Sequence, residues 1–161
     1  MPRRDAVKNA DRSLAHPALC LPAAQGLAFD VAAATDRKQD LYVARAHATA
    51  PIAPVLALAR AAKARGLPVA VATGGARRQV GPAIAAAGLE GFFDAVVTAD
   101  DVAHGKPHPE TFLKAAAAIG VAPELCVGYE DAQLGMAAIR AAGYLLAVDV
   151  TTMAGYPALI E

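Results

Sequence analysis

Four short apolar runs recur between residues 67 and 150: "LPVAVAT" (67–73), "FFDAVVTA" (92–99), "LCVGY" (125–129) and "YLLAVDV" (144–150). Apolarity that runs on without alternating suits strands covered on both faces, as in a parallel sheet. The stretches around them, 55–66, 76–88, 108–120 and 132–143, have helical composition and end on Gly66, Gly88, Gly120 and Gly143. Gly81-Pro82 is expected to interrupt the second of these. Strand and helix alternating at this spacing specify an α/β fold, a three-layer parallel sheet wound by right-handed crossovers.

Upstream the pattern is weaker. Residues 36–48, "DRKQDLYVARAHA", read as a helix, and "TAPIAP" (49–54) breaks the chain after it. This divides the sequence into a mixed segment (1–25), a short helical part (26–50) and the α/β core (51–161). The chain has 161 residues, enough for one domain with a hydrophobic core. Its 15 basic and 15 acidic residues cancel, so nothing steers it toward nucleic acid or an anionic membrane. Cys20 and Cys126 form no CxxC pair, which fits a reducing cytoplasm rather than a disulfide scaffold or zinc ribbon. No run has signal-peptide character or approaches the roughly 20 apolar residues of a membrane span. A cytoplasmic protein is expected.

In wound parallel sheets, function collects at the carboxyl ends of the strands. There the sequence places Thr73-Gly74-Gly75, Asp100-Asp101 with "HGKPHPE", Glu130-Asp131 and Asp149. A hydroxyl and free N–H groups at a helix start make a phosphate seat, although Thr73 taken alone is more simply an N-cap. Lys106, held between Gly105 and Pro107, can neutralise a phosphoryl group or stand as a solvated surface lysine. Glu130 and Asp131 can hold Mg²⁺ through oxygen, or one of them can cap the next helix. His104 and His108 flank Lys106 and are read as polar loop residues, with no acid or cysteine at zinc spacing. Together Thr73, Lys106 and Glu130-Asp131 compose a Mg²⁺-assisted phosphoryl-transfer site that lacks a nucleophile.

These segments resemble the haloacid dehalogenase-like (HAD) phosphohydrolases, above all the branch of β-phosphoglucomutases and small sugar phosphatases. "VAVATGG" looks like the family's second motif, "HGKPHPETF" the third and "CVGYEDAQLGMAAIRAAG" the fourth, a likeness covering residues 51–150. The resemblance implies that Thr73, Gly74 and Lys106 bind phosphate, that Thr73 and Lys106 serve catalysis, and that Glu130 and Asp131 hold Mg²⁺. A small phosphorylated sugar is the implied substrate. The family's first motif, Asp-x-Asp-Gly-Thr at the end of a central strand, supplies its nucleophile and its acid/base, and it does not occur in this chain.

"GLAFDVAAAT" (26–35) admits two alignments. It is a decayed first motif with Asp30 as nucleophile, or it is the remnant of the helical cap, with Asp30 an ordinary residue before a helix that its alanines begin. The second is favoured because it also accounts for residues 36–54. The chain is then truncated, without its first strand and most of its cap. Either way catalysis suffers, by ~10³–10⁶ without a nucleophile and ~10²–10⁴ without a partner acid. The missing strand also leaves unpaired edges inside a parallel sheet. A segment of this chain, a second copy in a homodimer or a partner's strand would have to fill the gap. A truncated, non-catalytic module binding phosphate or protein is the alternative to an impaired enzyme. A nucleotide-binding Rossmann module ranks below both, since GxGxxG and GxxxxGK[ST] are lacking.

Overall fold

The computed structural model describes residues 30–48 and 50–157. The expected segment 1–25 lies outside them, and of "GLAFD" (26–30) only Asp30 lies within them. The chain divides into two compact units, residues 1–42 and 43–161. The described part of the first is dominated by helix α1 (Val31–Ala44). Asp30 sits immediately before this helix, and its Oδ1 accepts the N–H of Ala33 at 3.0 Å. A carboxylate at that position satisfies an otherwise orphaned helix-start donor. The helix begins at Val31 and joins the alanines expected to start a helix after Asp30 to the helix expected from 36, and a single 3₁₀ turn over Ala46–Ala48 replaces its expected end.

The second unit carries α2 (Ala53–Ala64), β1 (Ala70–Ala72), α3 (Arg77–Ala86) and β2 (Ala95–Val97). It continues with α4 (Glu110–Ala118), β3 (Val127–Glu130), α5 (Gln133–Ala141) and β4 (Leu146–Asp149). The α/β alternation is the one expected, with shorter strands. Gly66 and Gly120 end α2 and α4 at φ of 74° and 68°, a left-handed conformation that a side chain disfavours. Helix α3 runs through Pro82 without a break. Proline removes one N–H from the ladder, and Pro82 stands on the exposed side of the helix.

The sheet is split. β1 pairs in parallel with β2, Val71 opposite Val96, and β3 pairs in parallel with β4, Tyr129 opposite Val148. Among the described residues no ladder joins β1 to β3. A central strand between these two pairs is what a HAD-like sheet would have, and the separation falls there. The start of the first pair is clamped by Asp94, which accepts from the Val69 N–H at 2.8 Å and the Lys63 ammonium at 2.7 Å.

One apolar cluster serves both pairs. Phe112 of α4 and Ala138, Ile139 and Ala142 at α5 are buried together, with Ala72 of β1, Ala147 of β4 and Tyr144 packed against them. The Tyr144 ring meets Phe112 edge-on at 5.7 Å, and its hydroxyl donates to the Phe112 carbonyl at 2.7 Å. Burial pushes that phenol well above its ordinary range. Gly128 in β3 lets Ile139 approach the strand. A Cβ there would lie 2.8 Å from three Ile139 side-chain atoms. The opposite face of this pair is open, with Val127, Tyr129 and Leu146 all exposed.

Gly128→Ala should therefore overpack the cluster and destabilise the fold by ~1–3 kcal/mol in urea unfolding. Adding Ile139→Val makes room, so the double variant should lose less than the sum of the two single losses. Strict additivity would contradict the contact.

Candidate functional site

The loops after β1, β2 and β3 carry the expected residues. Thr73 follows β1, and its own N–H donates to the Val97 carbonyl at 2.9 Å, which prolongs the pairing by one residue. Its Oγ1 accepts the N–H of Gly75 at 3.0 Å. That is a local turn, not the N-cap of α3. A Cβ on Gly75 would press against Val80 Cγ2 at 3.2 Å. The start of α3 is already occupied by protein groups. Gln79 Oε1 accepts from the Ala76 N–H at 3.2 Å, and Asp100 Oδ2 accepts from the Arg77 N–H at 2.8 Å. The expectation of free N–H groups there is thus corrected for Ala76 and Arg77, while Gly74 is an exposed residue outside these bonds.

Asp101 does not point to a ligand. It accepts the Arg77 guanidinium at 2.6 and 2.8 Å, the Thr98 hydroxyl at 2.7 Å and the Thr98 N–H at 2.8 Å. The bond from Arg77, then those from Thr98, hold its carboxyl far below the usual range. Thr98 is completely buried, so this carboxylate satisfies a polar group that water cannot reach.

Lys106 is not a solvated surface lysine. Its side chain is only 18% exposed, its Nζ lies 2.5 Å from Glu130 Oε2, and it stands 4.9 Å above the Phe112 ring. This ion pair brings the β2–α4 loop to the end of β3. The Lys106-Pro107 peptide bond is cis. Glu130 Oε1 accepts the N–H groups of Asp131 and Ala132, both at 3.3 Å. Glu130 thus closes the start of α5 while holding the lysine. A Cβ at Gly135 would overlap the Glu130 side chain, so glycine one turn into α5 makes room for the carboxylate.

Asp131 is exposed and its Oδ2 accepts the Tyr156 hydroxyl at 2.9 Å. Partial burial alone would raise its carboxyl, but hydrogen bonding, first from Tyr156, outweighs that and lowers it. The same bond raises the Tyr156 phenol. Glu130 and Asp131 offer hard carboxylate oxygens only, a donor set that suits Mg²⁺ completed by water and phosphate oxygen. Asp131 keeps Oδ1 outside the hydrogen bonds described, whereas Glu130 is engaged through both oxygens. The structure thus joins Lys106, Glu130 and Asp131 in one network. Asp30 belongs to the other compact unit, where it caps α1.

Sequence reasoning missed Tyr156, Gly135 and Glu110. Tyr156 comes from beyond the last strand and had no motif to mark it. Gly135 was visible only as a helix-interior glycine. Glu110 overturns the statement that no acid accompanies His104 and His108, since its Oε2 lies 3.1 Å from His104 Nδ1. The spacing His-x₃-His-x-Glu could have disclosed it.

Residues 4–143 match the family described as haloacid dehalogenase-like hydrolase. The chain belongs to the haloacid dehalogenase-like hydrolase family. The match reaches well upstream of the residues 51–150 that carried the resemblance. Over 83 residues the chain is 51% identical to fructose-1-phosphate phosphatase YqaB of Escherichia coli, covering 52% of this chain and 44% of that protein. It is 37% identical over 95 residues to validoxylamine A 7'-phosphate phosphatase of Streptomyces hygroscopicus, covering 59% and 44%. The chain therefore spans less than half the length of these two curated relatives. Among solved structures, CbbY of Rhodobacter sphaeroides in complex with phosphate superposes with a TM-score of 0.67 at 27% identity, covering 75% of this chain and 56% of that one. A putative β-phosphoglucomutase from Thermotoga maritima shares the fold at a TM-score of 0.62 and 22% identity, over 81% of this chain and 71% of that one. No described helix is long and apolar enough to cross a membrane.

The Arg77–Asp101 pair has a pH signature. A carboxyl lowered on folding contributes stability above its unfolded value, near pH 4, and that contribution disappears as pH falls toward the folded value. Asp101→Asn should be less stable than wild type at neutral pH and lose less stability between about pH 5 and pH 2. Parallel acid-unfolding curves for the two proteins would contradict this. The effect should be modest because Arg77 is more than half exposed.

Proposed function

We propose that this chain is a HAD-like sugar-phosphatase or phosphosugar-mutase scaffold that holds a small phosphorylated sugar and is impaired in turnover. The observation that carries the reading is the Lys106–Glu130 ion pair, which ties the third-motif lysine to the fourth-motif acids. An ammonium has three N–H donors, and Glu130 takes one of them. The remaining donors, the Thr73 hydroxyl and the Gly74 N–H would grip the phosphoryl oxygens. Glu130 and Asp131 would hold Mg²⁺, which supplies positive charge to the phosphoryl oxygens when bound. Tyr156 would fix the orientation of Asp131, leaving Oδ1 for that role. The sugar-phosphate class is supported by the phosphatase relatives and by the phosphate complex of the CbbY protein.

Impairment follows from chemistry. The sequence has no Asp-x-Asp-Gly-Thr, so no aspartate pair is provided to attack phosphorus and protonate the leaving group. The same absence supports the second reading, a non-catalytic phosphate- or protein-binding module. Calorimetry and a turnover assay separate the two. With Mg²⁺ present, folded protein should bind inorganic phosphate, and Lys106→Ala and Thr73→Ala should each weaken binding by roughly tenfold or more. Hydrolysis of hexose phosphates should be measurable but far below an ordinary ~1–10³ s⁻¹. Turnover in that ordinary range would sink the impairment. Binding without any turnover would leave the module reading standing. Phosphate binding unchanged in both variants would sink the site.

A further inference from the structure

The loop between β2 and α4 gathers a second set of donors. His104, His108 and Glu110 each bring one ligand atom to within 4.8 Å of the other two. The two imidazole rings lie 4.6 Å apart, centroid to centroid, tilted by 37°. Glu110 is held in place by the N–H groups of Ala103 and His104, each at 3.0 Å, and by Lys114 Nζ at 2.9 Å. Lys114 first, then the Ala103 N–H, keep its carboxyl down at about 2, so it is an anion at any ordinary pH. His104 Nδ1 lies 3.1 Å from Glu110 Oε2. With its proton on Nε2, His104 turns the Nδ1 lone pair toward the side on which Glu110 Oε2 lies, so one cation can take both atoms as ligands. His108 Nδ1 accepts only a long bond, 3.3 Å, from the Glu110 N–H, which a metal–nitrogen bond can replace.

We propose that His104, His108 and Glu110 form a surface site for a late first-row divalent cation, with Zn²⁺ as the representative ion. Two imidazoles and a carboxylate suit Zn²⁺, Ni²⁺ or Cu²⁺, whereas Mg²⁺ prefers an all-oxygen set. The site thus differs in chemistry from Glu130 and Asp131. Three protein ligands leave a coordination position for water or an anion's oxygen. Lys106 lies between His104 and His108 in sequence, so the cation would add charge to the loop that carries the phosphate-binding lysine. Lys114 is the built-in competitor, because its ammonium already occupies Glu110 Oε1.

The test is a calorimetric titration of the chelator-stripped full chain with Zn²⁺ alone, in phosphate-free buffer, with circular dichroism to confirm folding of every variant. Saturable one-to-one binding is expected. His104→Ala and His108→Ala should each weaken it by roughly ten- to a hundredfold or more. Asp131→Asn, which keeps the Lys106–Glu130 pair, should leave it unchanged. Lys114→Gln should tighten it by freeing Glu110, and unchanged or weaker binding there would remove Glu110 from the site. Affinity unaffected by both histidine substitutions, or no saturable binding to folded wild type, would overturn the proposal. Neither result bears on phosphate binding, which is measured separately.

Discussion

The short contact between Lys106 and Glu130 is the constraint on which the rest of the second unit depends. Each side chain is largely withdrawn from water, at 18% and 11% exposure. Desolvated charges of opposite sign hold each other, and removing either leaves the other uncompensated. Around the pair, several ordinary features become requirements. Phe112 lies beneath the ammonium, Gly135 clears space for the carboxylate, and the N–H groups at the start of α5 take its second oxygen. Phe112 is at once part of the apolar cluster and the ring beneath Lys106.

Much of this was legible in the sequence, for identifiable reasons. Unbroken apolar runs marked the strands, and glycines such as Gly66 and Gly120 marked helix ends because they must turn left-handed there. The order of Thr73, Lys106 and Glu130-Asp131 at successive strand ends followed from topology alone. What stayed hidden depends on long-range packing. No local pattern told that Asp100 would close the start of α3, or that Tyr156 would return to Asp131. The proline in α3 misled because one lost N–H does not stop a helix whose remaining bonds are intact.

Among the described residues the sheet consists of two separate strand pairs. Each strand pair is a complete parallel unit with its own crossover helix, α3 for the first and α5 for the second. Among the described residues no backbone ladder joins the pairs, and side chains of helices α4 and α5 pack against both. Among the described residues the two pairs share an apolar seam, the Tyr144–Phe112 hydrogen bond and the Lys106–Glu130 ion pair. The exposed face of β3 and β4 fits the same picture, since a parallel strand pair is ordinarily covered on both sides.

That division gives the Lys106–Glu130 bridge a further meaning. Lys106 follows one strand pair and Glu130 ends the other, so the place where an anion would be gripped is also the joint between two halves of the fold. By mass action, whatever binds only to the closed joint also holds it shut. Under the proposed reading, ligand occupancy and structural integrity would be one equilibrium: the cargo of such a protein would be its own mortar.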